Sequence, residues 1–163
     1  MNYYEKLGIH AQGETVAESR QPQQIKYLLA KYQPDIVVIT GHDSIAKEKD
    51  PNNIESYRSS YYFVEAVRQA RQYESDMDTL VIFAGACQSY YEEIIGAGAN
   101  FASSPERIMI HALDPVFVSE KIAYSSVKRV LTMEEILSNT ITNVKGIGGF
   151  ETRGKAREGA PVT

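Results

Sequence analysis

The sequence predicts an α/β domain: a mostly parallel sheet with helices on both faces. Three observations carry that prediction. Residues 36–40 and 80–84 are almost wholly apolar, the pattern of strands buried on both faces. Amphipathic segments lie before and between them at helical spacing. Strands that alternate with helices build a parallel sheet with right-handed crossovers.

Bulk properties narrow the class. A chain of 163 residues suits one domain and can bury a core without staples. A net charge of −4 speaks against a nucleic-acid-binding body. No apolar stretch is long enough to span a bilayer, and no secretory signal is visible, so no membrane partner is expected. One cysteine makes no internal disulfide, and a cytoplasmic setting is the expectation.

Each element has a local reason. Tyr3 to Leu7 reads as the tail of a helix stopped by Gly8, and residues 9–12 as a short strand. Residues 23–32 form a helix with Ile25, Leu28 and Leu29 on one side, ended by Pro34. Residues 41–56 are too polar for core and form a loop. Ser59 or Ser60 caps a helix reaching Tyr73, with Phe63, Val64, Val67 and Ala70 as its stripe. After the second apolar run, residues 89–95 form a helix stopped by Gly96-Ala97-Gly98. Residues 99–103 and 107–112 are short strands, and Asp114-Pro115 opens a helix. A last helix spans residues 133–141.

From Gly146 onward, glycine and charge dominate. This sets residues 146–163 apart from the α/β domain of residues 1–145 as a flexible segment or loop. The chain opens in mid-helix with no strand before it. It therefore reads as part of a longer protein, without an N-terminal domain and the first strand of the sheet.

The chemistry lies at strand ends. In open parallel sheets, sites form beyond the carboxyl ends of the strands. Gly41-His42-Asp43 and Gly85-Ala86-Cys87 both follow such ends, and 45 residues separate His42 from Cys87. On neighbouring strands, imidazole and thiol would face each other. A thiol acts as a nucleophile once it is a thiolate, which a nearby imidazole and the N-terminus of the following helix both favour. N–H groups at that turn can also hold an oxyanion. The order and spacing are similar to those of caspases, where a His lies about 50 residues upstream of the Cys. These patterns assign catalysis to His42 and Cys87, with Gly41, Asp43, Ala86 and Gln88 as supporting or oxyanion-holding residues. No metal or cofactor is needed.

Other readings compete. A free cysteine is often a small buried hydrophobe. Asp43 can orient the His42 ring or simply start a turn. His111 ends the apolar run 108–110; it can orient substrate in a pocket, replace His42 as base or simply hydrogen-bond locally. Asp114 suits an N-cap, or a carboxylate in a pocket for a basic side chain. Ser103 and Ser104 can line that pocket or make a turn. A metal-dependent hydrolase using His42, Asp43, His111 and Asp114 is a second function, although that spacing fits no familiar ligand set.

Four segments together resemble a known family. Ile39-Thr40-Gly41-His42-Asp43, Phe83-Ala84-Gly85-Ala86-Cys87-Gln88-Ser89, Gly98-Ala99-Asn100-Phe101-Ala102-Ser103-Ser104-Pro105 and His111-Ala112-Leu113-Asp114-Pro115-Val116 are similar to the YabG family, sporulation-specific proteases of spore-forming Firmicutes. Residues 146–154 resemble that family's C-terminal region, so the likeness runs through nearly the whole chain. It implies a cysteine endopeptidase with protein substrates: spore coat and cortex-related proteins, cut next to Arg. It also implies a place in the mother-cell cytoplasm or at the spore coat. The His-then-Cys order further resembles caspase and clostripain proteases and their three-layer sandwich. There the His is usually followed by Gly, whereas here Gly41 precedes His42 and Asp43 follows it. Family members are longer, with an additional N-terminal region. A non-catalytic docking module of the spore coat is the third reading.

Overall fold

The computed structural model describes residues 2–157. In chain order the elements are α1 (Asn2–Lys6), α2 (Gln21–Tyr32), β1 (Ile36–Ile39), α3 (Ser60–Tyr73), β2 (Val81–Ala84), α4 (Tyr91–Gly96), β3 (Phe101–Ser103), α5 (Asp114–Tyr124), β4 (Val130–Leu131), α6 (Met133–Leu137), α7 (Asn143–Gly146), β5 (Ile147–Gly149) and β6 (Thr152–Arg153). The main sheet runs β1-β2-β3-β5, and β4 pairs with β6 in a separate two-stranded ribbon. Pairs β1–β2 and β2–β3 are parallel, whereas β3–β5 is antiparallel. The sheet is therefore mixed, with a parallel centre. Among the described residues no helix is long and apolar enough to cross a membrane.

The central strand explains its own composition. Successive side chains of a strand point to opposite faces. Ile82 and Ala84 join a core with Ile25 and Leu29 of α2, Phe63, Val64 and Val67 of α3, and Ile94 of α4. Val81 and Phe83 join a second core with Val118 and Ile122 of α5, Ile136 of α6, and Ile147 of β5. All four residues of β2 are buried, so both faces demand apolar side chains. Strand β1 is an edge of this sheet, and Ile36, Val37 and Val38 are only half-buried.

Several local expectations hold. Helix α2 ends on Gln33 in the left-handed conformation (φ 47°), whose N–H donates to the Leu29 carbonyl at 2.8 Å. Helix α3 buries Phe63, Val64, Val67 and Ala70, as its stripe predicts. Others need correction. Residues 9–12 and 107–112 form no strand. The apolar run 108–110 is spent on the turn that holds Cys87, described below. Helix α6 stops at Leu137 and begins with a reciprocal cap between Thr132 and Glu135.

The glycine-rich segment also departs from expectation. Residues 147–149 form β5 in the main sheet, and Thr152–Arg153 form β6. Composition misleads here because the glycines serve close approach. A Cβ on Gly149 (φ 157°) would lie 2.2 Å from the Asn100 carbonyl oxygen. One on Gly148 would lie 2.5 Å from the Tyr91 hydroxyl. The part of the 146–163 segment beyond residue 157 lies outside the described residues.

Replacing Phe83, 1% exposed between β2 and α5, tests the second core. We expect Phe83→Ala to lose about 3–5 kcal/mol in urea unfolding. A loss below about 1 kcal/mol would contradict this packing.

Candidate active site

The β1–β2 register pairs Ile39 with Ala84. His42 lies three residues beyond the first and Cys87 three beyond the second. Parallel pairing therefore brings both to the same end of the sheet. The two loops are tied at their base, where Thr40 Oγ1 donates to the Gly85 carbonyl at 2.9 Å. Both residues line one cleft of about 1540 Å³, together with Glu18, Gly41, Ala86 and Ile110.

Cys87 occupies a tightly specified turn. Gln88, immediately after it, is held in the left-handed region (φ 60°), which is uncommon for a residue with a side chain. Its N–H donates to the Ile108 carbonyl and to Ser104 Oγ, both at 3.0 Å. Ala86 N–H donates to Ser89 Oγ at 2.9 Å. The thiol is half-buried: Ile110 N–H approaches Sγ at 3.4 Å, and Sγ lies 3.8 Å from the Ile110 carbonyl oxygen. Residues 108–110 thus back the turn instead of pairing as a strand. The N–H groups of Ala86 and Gln88, expected at an oxyanion, are engaged within the protein. Those of Cys87 and Gly41 donate to no acceptor among the described residues. Helix α4 begins at Tyr91, later than the expected Ser89, so Cys87 stands three residues before the N-cap Tyr90.

Asp43 takes a place that its sequence position does not reveal. It is 9% exposed, and its carboxylate accepts from groups other than the imidazole. Its Oδ1 accepts from Ser44 N–H at 2.9 Å and Ser59 N–H at 2.7 Å. Its Oδ2 accepts from Ser60 Oγ at 2.5 Å and Ser89 Oγ at 2.8 Å. Ser60 Oγ in turn accepts from Tyr90 N–H at 2.9 Å. One carboxylate therefore joins the His42 loop, the start of α3 and the Cys87 turn. Ser59 precedes α3 without a side-chain cap, and Asp43 holds its N–H instead.

The remaining candidates separate. The His42 side chain is 85% exposed at the cleft wall. Its backbone N–H donates to Glu18 Oε1 at 2.8 Å, and its Nδ1 lies 3.5 Å from that oxygen. His42 and Cys87 share the cleft without a hydrogen bond between them. The exposed His111 turns to its own backbone, its Nδ1 accepting from Leu113 N–H at 3.1 Å. Asp114 is fully buried and accepts from the N–H groups of Ile141 (2.7 Å) and Thr142 (3.3 Å) and from the Thr142 hydroxyl. Its oxygens clamp the 141–142 turn and do not line the cleft. Ser103 is fully buried in β3, and Ser104 supports Gln88. His42, Asp43, His111 and Asp114 thus occupy separate surroundings. Among the described residues no group of three or more His, Cys, Asp or Glu side chains could hold a metal.

Glu18 was not visible as a site residue in the sequence. It opens the 3-10 turn Glu18–Arg20, and no periodicity or motif links it to His42. Its carboxyl lies below the usual glutamate range, first because it accepts the His42 N–H.

A family model described as YabG peptidase U57 matches residues 1–161. The chain belongs to this family. It is also 49% identical over 162 residues to the sporulation-specific protease YabG of Bacillus subtilis (strain 168). That alignment covers 99% of this chain and 56% of the relative, so the chain spans little more than half of that protein's length. No solved structure matches. In this YabG-family chain the strand-end His and Cys share one cleft, and a buried aspartate links their loops.

Asp43→Ala removes the acceptor of four donors, three of them around α3 and the Cys87 turn. We expect a loss of about 3 kcal/mol or more in urea unfolding, since each stranded buried donor costs about 1–3 kcal/mol. A change within about 0.5 kcal/mol would contradict the network. The Glu18 bond has its own signature. A depressed carboxyl holds its partner fully above the ordinary value of 4.5 and releases it as pH falls through the depressed value. The His42 amide resonance should therefore titrate below pH 4.5. An amide signal flat through that range would contradict the bond.

Proposed function

We propose that the chain carries the catalytic centre of a cysteine endopeptidase, with Cys87 as nucleophile and His42 as general base and acid. The observation that supports it most is the parallel register of β1 and β2, which brings both strand-end residues to one cleft. Sγ attacks the scissile carbonyl carbon, and the C–N bond breaks as the proton held by His42 passes to the leaving amine. Water then hydrolyses the thioester, releasing the carboxylic acid and restoring the thiol. The N–H groups of Cys87 and Gly41 are the donors left for the oxyanion, while those of Ala86 and Gln88 shape the turn. No cofactor takes part.

The finer assignments rest on the resemblance to YabG proteases and on the architecture. A parallel core with helical cores on both faces supports a caspase- or clostripain-like three-layer sandwich. The relative's sporulation-specific activity supports spore coat and cortex-related proteins as substrates, met in the mother cell or at the coat. Cleavage next to Arg follows from the same likeness. Asp114 is enclosed and does not line the cleft, so the carboxylate that would meet a basic side chain there is not this one.

The test compares Cys87→Ala and His42→Ala with wild type in the full-length protein, on a fluorogenic Arg peptide and on coat proteins. Turnover should fall by roughly 10³-fold or more in each. Wild-type turnover in Cys87→Ala would sink the assignment.

A further inference from the structure

The exposed imidazole of His42 raises a question the dyad leaves open. A general base works from one ring nitrogen, and the hydrogen bond made by the other sets which nitrogen that is. In many His-dependent sites a carboxylate makes that bond. Asp43, one candidate for that role, has both oxygens committed to Ser44, Ser59, Ser60 and Ser89. The ring needs another partner.

Glu18 stands there. Its Oε1 accepts the His42 backbone N–H at 2.8 Å and lies 3.5 Å from Nδ1 of the same residue. Two features make this more than a chance surface contact. First, Glu18 is anchored to the end of β1. The 3-10 turn that carries it leads into Gln21, whose Nε2 donates to the Thr40 carbonyl at 2.9 Å. Second, the backbone makes room for it. A Cβ on Gly41 would lie 2.4 Å from Glu18 Oε1, 2.8 Å from its Cγ and 2.9 Å from its Cδ. Gly41 beside His42 therefore admits the carboxylate, a use that differs from the substrate approach its sequence position suggests.

We propose that Glu18 is a positioning residue that holds the His42 imidazole through Nδ1 and leaves Nε2 to serve Cys87. The assignment rests on the cysteine-protease reading above and completes it as Cys87–His42–Glu18. The contact at Nδ1 tightens when substrate covers the cleft, because loss of water strengthens the attraction between carboxylate and imidazolium. The side chain does not touch the reacting atoms. Its effect falls on the chemical step and not on substrate binding.

Glu18→Gln in the full-length protein separates this from scaffolding, because the amide oxygen still accepts the backbone N–H and preserves the loop. We expect kcat to fall on the order of tenfold or more, with KM within about twofold. In Glu18→Leu, which offers Nδ1 no acceptor, we also expect the ¹⁵N pattern of the His42 ring to move towards the other tautomer. Gly41→Ala, which displaces the carboxylate, should reproduce both effects. Wild-type kcat in Glu18→Gln together with an unmoved His42 ring pattern in Glu18→Leu would overturn the proposal. A raised KM for Arg peptides with the ring pattern unchanged would also overturn it, making Glu18 a substrate contact. The ring spectrum needs no turnover, so failure of the cysteine mechanism, read from Cys87→Ala, is distinguishable from failure of this inference.

Discussion

The carboxylate of Asp43 sits where three pieces of chain must meet, and the geometry of the site depends on it. Ionised carboxylate oxygens accept and do not donate, so four donors can converge on one without conflict. Those donors come from residues 44, 59, 60 and 89, on three separate segments. Ser60 and Ser89 each pass the constraint on by accepting a backbone N–H, from Tyr90 and Ala86 respectively. Residues on both sides of Cys87 are thereby referenced to the residue after His42. An asparagine would reverse part of this: with its amide nitrogen towards the two serines it would donate to their hydroxyls, and the serine protons would lose the acceptor they have now.

This arrangement explains which parts of the molecule were legible in sequence. Strand β2 was, because a strand packed on both faces must be apolar throughout, and so was the placing of His42 and Cys87 beyond the ends of neighbouring parallel strands. The partners of Asp43 were not. Ser59, Ser60 and Ser89 are distant in sequence, and serine before a helix reads as a cap by default. The run 108–110 reads as a strand by composition, yet its backbone is committed to Gln88 and Cys87. The sequence beyond residue 146 reads as flexible because glycine lowers core-forming capacity. There the same glycines let an edge strand approach Asn100 and Tyr91 more closely than a side chain would permit. In each case a tertiary contact overrides the local signal.

The two halves of the site are held in unequal ways, and that inequality bears on mechanism. The Cys87 turn is determined from several directions: Ala86 N–H, Gln88 N–H in a left-handed conformation, and Ile110 against the sulfur. A strained residue persists where its surroundings over-determine it, and such residues cluster at functional sites. The imidazole, by contrast, stands largely in water beside one carboxylate. In water a charge pair at such a separation contributes about 1 kcal/mol, and several times that once the surroundings lose water. On the proposed mechanism, a rigid nucleophile with a loosely held base makes a site that a bound peptide completes. There the substrate backbone would cover the cleft, the dielectric would fall, and the imidazole would be fixed at the step where its orientation matters. Strength absent from the free site and present in the substrate-bound one favours the chemical step over ground-state binding.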